Sequence, residues 1–390
     1  MRTVALPVAY MPLVDAAPLI IAQELGFAQT EGISLDLIPA PSWSSVRDML
    51  AFGRVDAAHM LSPVPVAMAL GLGGVSTPVS AVMVTSVNGD VIGVGRALET
   101  RLRAQGYEFD FVNPRAAARA LARAADGPLV FGVPFPFSMH VELLRYWFDG
   151  TDLGGTEAII RTVPPPLMAE ALAEGDIDAF CVGEPWGSVA VDQGSGALLL
   201  PGNAIWSFAP EKVLAVRTDW AETEPHPLRR LMRAVWRAGQ WLSRPDTHTT
   251  TAEILSRKAY LDVPPELIDR ALHGRFIISG QAEHRDVTRF VEFYRGAANF
   301  PWRSQAKWMA CRLAHRHGLN VVDSMTLGAA AYRSDLFRAH MPIEADLPGA
   351  SEKLEGSILH ETAVASQKGQ LTLLADSFFD GCIFDPDVPG

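Results

Sequence analysis

The sequence predicts an α/β protein of two similar lobes with a ligand cleft between them, followed by a helical C-terminal extension. Three observations carry that reading. Leu50-Ala51-Phe52-Gly53-Arg54-Val55-Asp56-Ala57 recurs about 120 residues later as Leu172-Ala173-Glu174-Gly175-Asp176-Ile177-Asp178-Ala179. Each copy reads as a helix end with Gly just past it, a tight turn, and a short strand that begins V/I-D-A. Each strand then breaks into a proline loop, Leu61-Ser62-Pro63 after the first and Gly183-Glu184-Pro185-Trp186 after the second. Finally, 390 residues with 48% apolar and 20% charged side chains are enough for two domains with real cores, and wrong for disorder. Ligands of open α/β sheets sit in the loops beyond the strand ends. The repeat therefore points to a binding architecture before a catalytic one.

Val4 to Tyr10 reads as the first strand, Ala16 to Leu25 as a helix closed by Gly26, and Ile33 to Ile38 as the second strand. The serine cluster Ser42-Trp43-Ser44-Ser45 opens a helix from about Val46 to Phe52, because Ser supplies N-caps. Ala81 to Thr85 is a strand that runs into the turn signal Ser86-Val87-Asn88-Gly89-Asp90 and then Val91 to Val94, the first crossing between lobes. Gly71-Leu72-Gly73-Gly74 and Gly93-Val94-Gly95 fail as dinucleotide fingerprints and read as turns. Pro114 to Ala125 is a helix opened by proline, Leu129 to Val133 a buried strand, and His140 to about Phe148 a helix. Val213 to Val216 carries the chain back to the first lobe, and from Pro227 the pattern is mostly helical, with Pro342 to Ser351 a loop. The expected domains are lobe 1 over 1–88, lobe 2 over 89–208, the return of lobe 1 over 209–299, and an extension over 300–390 that packs on lobe 1.

A net charge of −11 argues against nucleic acid as a direct partner, since phosphate neutralisation needs a basic face. It also requires any anion site to be built locally, against the field of the molecule. Cys181, Cys311 and Cys382 show no paired spacing and no zinc pattern, which excludes a disulfide framework and a metal cluster. Cys181, in an apolar strand, reads as a buried thiol. Met1-Arg2-Thr3 leads straight into the first strand with no export-signal pattern, and no stretch reaches the roughly 18 apolar residues of a membrane span. The expected location is the cytoplasm, or the periplasm if the true start lies upstream.

No catalytic constellation stands out: no Ser occupies a nucleophile elbow, so the expectation is a protein that is not an enzyme. Four polar elements fall in loops assigned to the cleft. Trp43, just before a helix start, is either a core residue or a flat wall for a small ligand. His140, at a helix start behind an aromatic-proline loop, offers one imidazole donor or simply caps its helix. Gly183 permits close backbone approach, so that its loop can present amides to an anion, while Glu184 would repel an anion and is expected to hold the loop or pair with a cation. Lys212 sits at the mouth of the returning strand, as a surface lysine or as a ligand cation. Together they describe a small pocket with one cation, one imidazole, several amides and an aromatic wall, which suits a small oxyanion.

Ser42-Trp43, Asp56-Ala57-Ala58-His59-Met60-Leu61-Ser62-Pro63, Asn88-Gly89, Ser138-Met139-His140 with Leu144-Arg145-Tyr146-Trp147, Gly183-Glu184-Pro185-Trp186 and Pro210-Glu211-Lys212 occur in this order along nearly the whole chain. In this the chain resembles the nitrate/bicarbonate-binding (NrtA/CmpA-type) substrate-binding proteins of ABC transporters. The resemblance implies a two-lobe, periplasmic-binding-protein-like (type II) fold that holds an oxyanion in the cleft. It places Trp43, His140, the Gly183-Glu184 loop and Lys212 on the family's ligand positions, and Asn88, Asp90 and Trp186 complete the expected ligand site. It also implies nitrate or nitrite without metal or other cofactor, because nitrate binders of the family carry Lys at the position of Lys212, where bicarbonate binders carry an acid and use calcium. Asp90 departs from the family, which often has an amide donor there. A carboxylate would oppose an anion unless protonated, turned away or paired with Lys212.

Family members without an export signal resemble cytoplasmic nitrate sensors of the NasS type, which hold an RNA-binding antitermination partner inactive until the anion binds. The expected function is thus a nitrate/nitrite sensor acting on such a regulator, and the alternative is the solute-binding subunit of a nitrate or bicarbonate importer, partnered by its ABC permease. An enzyme on the same scaffold, of the thiamine-pyrimidine type, would need a cysteine-rich or cofactor-lysine motif that the chain lacks. Lys212→Ala is expected to abolish anion binding and leave the fold intact.

Overall fold

Ten principal strands form two sheets in the computed structural model, which describes residues 3–388. Met1 and Arg2, the lead-in to the first strand, lie outside the described residues. In chain order the strands are β1 (Val4–Tyr10), β2 (Ile33–Pro39), β3 (Ala57–Leu61), β4 (Val79–Asn88), β5 (Asp90–Gly95), β6 (Leu129–Val133), β7 (Ala158–Thr162), β8 (Ala179–Gly183), β9 (Gly196–Pro201) and β10 (Pro210–Arg217). The first sheet has the order β4-β10-β3-β1-β2, with the short strand Val291–Glu292 added outside β4. The second has the order β7-β6-β8-β5-β9.

The repeated octapeptide builds the same joint twice. In the first sheet the Asp56 N–H donates to the Pro7 carbonyl (2.9 Å) and starts β3 parallel to β1. In the second the Asp178 N–H donates to Val130 (2.8 Å) and starts β8 parallel to β6. Gly53 (φ +70°) and Gly175 (φ +77°) make the left-handed turn that lets each helix end feed its strand. The chain passes from first to second sheet at Gly89 alone, between β4 and β5, and returns through Gly202–Ala209 into β10, which inserts antiparallel between β3 and β4. All ten residues of β4 are buried, as a strand covered on both faces requires.

Three local expectations differ from the structure. Gly93-Val94-Gly95 is not a turn but the end of β5. A Cβ on Gly93 would lie 2.3 Å from the Phe180 ring, so the glycine is there for packing between paired strands rather than for bending the chain. The helix after the serine cluster begins at Trp43, not Val46, because Ser42 is the cap: its Oγ accepts from the Ser45 N–H (3.2 Å). Within the stretch read as mostly helical, Arg275–Ile277 and His284–Asp286 pair as a small hairpin. It follows Gly274 (φ +65°), which ends the helix Pro265–His273.

Helices Arg303–His317 and Val321–Ala331 of the extension pack on each other and on helix Pro63–Ala69, beside the first sheet. The extension also reaches elements of the second sheet, which the sequence expectation of packing on lobe 1 did not include. Arg316 pairs with the buried Glu142 (2.6 Å), Arg312 with Asp149 (2.9 Å), and Tyr146 Oη donates to Asp380. Asp376 accepts from Trp206 Nε1 (2.6 Å) on the return crossing. Among the described residues no helix is long and apolar enough to cross a membrane.

Candidate functional site

The polar groups that converge in one cluster come from two strands, two helix starts and the turn after β1. After β1 the chain makes the loop Met11-Pro12-Leu13 and a single 3-10 turn, Val14–Ala16, which carries Asp15. His59 lies in the middle of β3, and Trp43 is the first residue of the Ser42-capped helix. His140 is the second residue of helix Met139–Asp149, whose cap Ser138 accepts from the Val141 N–H (3.3 Å). Glu211 and Lys212 are consecutive in β10, where regular pleating would send them to opposite faces. The pairing of β10 with β4 shifts register between Pro210 and Lys212, and this irregularity brings both side chains together.

The geometry is a chain of short contacts. Lys212 Nζ lies 2.7 Å from Asp15 Oδ2 and 2.6 Å from Glu211 Oε1. Asp15 Oδ1 is 3.2 Å from His59 Nε2, and Glu211 Oε1 is 3.4 Å from His140 Nδ1. Lys212 Nζ also stands 5.5 Å from the Trp43 ring centroid, and Trp43 packs against His59 with centroids 5.6 Å apart. None of these six residues is more than 2% exposed. Trp43 Nε1, His59 Nδ1, His140 Nε2 and Glu211 Oε2 have no hydrogen-bond partner in the protein. Buried polar atoms are rarely left so, and several around one ammonium mark a place for a polar ligand.

The charges are sharply divided. Burial alone would raise the Asp15 carboxyl, but the Lys212 charge and the adjacent His59 outweigh it and hold it at about 2. Burial also works against the Lys212 ammonium, yet Asp15 and Glu211 hold it above the usual lysine range. For Glu211 burial wins: the carboxyl is pushed up to about 8, with repulsion from Asp90 and Asp15 adding to it and Lys212 pulling the other way. Burial, then the Lys212 charge, pushes His140 well below the ordinary imidazole range, and burial lowers His59 despite Asp15. The Lys212–Asp15 pair is thereby held charged, Glu211 is pushed toward its neutral form, and both imidazoles are pushed toward theirs.

Of the residues named from sequence, Trp43, His140 and Lys212 meet in this cluster. Asp90 adjoins it: its Oδ2 accepts from Cys181 Sγ (3.3 Å), it makes no ion pair with Lys212, and burial raises its carboxyl. The other named residues hold the crossing together. Asn88 Nδ2 donates to the Ser207 carbonyl (2.9 Å) and its Oδ1 accepts from the Ala209 N–H (3.0 Å), so its side chain staples the outgoing crossing to the return crossing. Gly183 is the last residue of β8, paired with Asp90. The Glu184 N–H, expected to face an anion, donates to the Gly89 carbonyl (3.1 Å), and Glu184 Oε2 accepts from the Ser188 N–H (3.2 Å) at the start of the next helix. Trp186 Nε1 donates to the Pro12 carbonyl (2.9 Å), which, with Val14 N–H to Glu184 carbonyl (2.9 Å), clamps the Asp15 loop to the second sheet.

Asp15, His59 and Glu211 were not assigned to the site from sequence. A signal was present for two of them: Asp15 and His59 are single polar residues inside otherwise apolar, fully buried runs, Val14–Ile21 and Ala57–Leu61. Glu211 had none, because its strand parity placed it away from Lys212.

Comparison with known proteins gives a consistent picture. Residues 2–256 match the NMT1-like family. The nitrate/nitrite binding protein NrtA of Nostoc sp. is 28% identical, over 100% of this chain and 84% of that protein. The nitrate import ATP-binding protein NrtC of Synechocystis is 31% identical over 80% of this chain but only 46% of its own length. The chain thus spans about half of the ATP-binding relatives it matches and most of the binding proteins. Among solved structures, the periplasmic nitrate-binding protein NrtA from Synechocystis aligns with TM-score 0.81 and 26% identity, covering 100% of this chain and 97% of that one.

Proposed function

Taking as premise that the chain belongs to the NMT1-like family, and within it to the NrtA-type substrate-binding proteins, we propose that it binds a small oxyanion, nitrate or nitrite, at Lys212. One observation carries the reading: four buried polar atoms without partners, on Trp43, His59, His140 and Glu211, belong to the same cluster of contacts as a buried ammonium. Lys212 supplies the charge, and the neutral imidazole of His140 and the Trp43 N–H supply directional donors. The Trp43 and His59 rings wall the site. Asp15 holds Lys212 in place and keeps the ion pair ready for exchange with the ligand. The cluster is sealed, so a ligand enters only when the two sheets separate about the Asn88-Gly89-Asp90 and Gly202–Ala209 crossings. The domain limits read from sequence, 1–88 with 209–299 against 89–208, are the bodies we propose to move.

The role this binding serves is the solute-binding component of a nitrate importer, working with an ABC permease, as the names of the relatives support. A second reading is the cytoplasmic sensor that controls an RNA-binding antitermination regulator. Its support is the net charge of −11, which would attract a basic partner. Closure on the anion would change the surface such a partner reads, provided the anion binds the closed arrangement better.

Calorimetric titration with nitrate, nitrite, and bicarbonate with and without calcium tests the binding. Saturable heat with nitrate or nitrite is expected. Bicarbonate binding that requires calcium, or silence with every anion, overturns it.

A further inference from the structure

The charge balance of this site does not close when an anion is placed in it. Lys212 is the cation between Asp15 (2.7 Å) and Glu211 (2.6 Å), and Asp15 alone cancels it. If Glu211 were ionised as well, the sealed cluster would be negative before any oxyanion arrived. Its geometry argues for the other form. Oε1 already faces Lys212 Nζ and His140 Nδ1, while Oε2 is buried with no partner in the protein. A bare carboxylate oxygen in such a place is costly, whereas a carboxylic acid turns the same oxygen into an O–H donor.

We propose, resting on the oxyanion reading above, that Glu211 is itself a ligand-contacting residue and acts as a neutral acid: its Oε2 hydroxyl donates to the bound oxyanion, so that anion and proton occupy the site together. The groups that face Glu211 agree. Lys212 beside it in β10 favours the ionised form. Asp15 from the turn after β1 and Asp90 from β5 oppose it. His140 from its helix is held neutral, and Cys181 of β8 and Tyr332 of the extension are uncharged neighbours whose own ionisation Glu211 opposes. Burial is the largest influence and pushes the carboxyl to about 8. The proton comes from solvent and no bond to the anion is made or broken. An oxyanion that never protonates near neutrality is thereby admitted to a site rich in acids, with Glu211 reading its bare oxygen.

The test titrates the full chain with nitrate and with nitrite from roughly pH 6 to 9.5, in two buffers of different ionisation heat. The expected affinity is level up to the Glu211 value of about 8 and then falls about tenfold per pH unit, with about one proton taken up per anion at the alkaline end. Glu211→Gln, which keeps the donor without the titration, is expected to flatten that fall. Saturable binding whose affinity and heat are unchanged by pH and buffer overturns the proposal, as does a fall that persists in Glu211→Gln. If that variant does not fold, the buffer dependence of the unaltered protein decides alone. No saturable binding at any pH removes the oxyanion reading itself, and this proposal with it.

Discussion

Lys212, the cation we propose for the ligand, is also a structural member of the core. It has no exposed surface, and two acids lie within 2.7 Å of its ammonium. Removing one partner of a buried ion pair leaves the other uncompensated, which costs about 3–5 kcal/mol. Lys212→Ala is therefore expected to lose anion binding and also to lower stability by about that amount in denaturant unfolding, whereas the sequence alone predicted an intact fold. Asp15→Asn in the same chain should recover part of the stability and none of the binding, because it removes the stranded carboxylate without restoring a cation. Equal stability of Lys212→Ala and the unaltered protein would contradict the pairing. Legibility at this scale followed chemistry. Trp43, His140 and Lys212 stood out because their residue types offer donors next to predicted loops. Glu211 did not, because the strand irregularity that turns it toward Lys212 leaves no mark in residue type.

At the scale of elements, the site depends on how closely β5, β8 and the two proline loops approach. Gly93 sits under Phe180 of the neighbouring strand, where a Cβ would come within 2.3 Å of the ring. Gly93→Ala overpacks this contact and is expected to cost about 1–3 kcal/mol, measured by thermal or denaturant unfolding. Adding Phe180→Leu should offset part of the loss by freeing the space. A neutral effect of Gly93→Ala would mean the strands separate without cost. The second loop has a mechanical part beyond what its sequence announced. Glu184 and Trp186 bond to Val14 and Pro12 and so fix the turn that carries Asp15. Proline, glycine and tryptophan at a strand end were legible as a loop of consequence; which backbone groups it would grip was not.

For the whole molecule, the sum of buried acids sets the pH response. The Glu211 and Glu184 carboxyls, at about 8 and about 7 in the fold, lie above the 4.5 of an unperturbed glutamate. Between those values the folded chain holds protons that the unfolded chain has released, so stability falls as pH rises. The buried imidazoles of His59 and His140, lowered in the fold, act in the opposite sense only below about pH 6.5. From about pH 6.5 to 8.5 the acids act alone, and the thermal midpoint of the ligand-free protein is expected to drop by on the order of a few degrees. Glu184→Gln or Glu211→Gln should lessen the drop, and a flat or rising midpoint across that window would show the acids to be ionised already. The extension belongs to this scale too. Through Arg316–Glu142 and Arg312–Asp149 it ties a helix beside the first sheet to the helix Met139–Asp149 of the second lobe, and through Trp206–Asp376 it holds the return crossing.

The sequence by itself determined the two-lobe α/β plan, since the repeated helix-turn-strand octapeptide encodes its joint locally, in a left-handed glycine and a strand-starting aspartate. It also determined that an oxyanion site, if present, had to be made from few cations in an acidic chain, and it named Lys212, His140 and Trp43. Tertiary structure decided the rest. Burial sets which acids are charged, and burial is a property of neighbours far away in sequence: Asp15 stays ionised because Lys212, 197 positions later, touches it, while Glu211 beside that lysine is driven neutral. The partners of Asn88, Glu184 and Trp186 were decided the same way, by backbone groups that only the folded chain brings within hydrogen-bond reach.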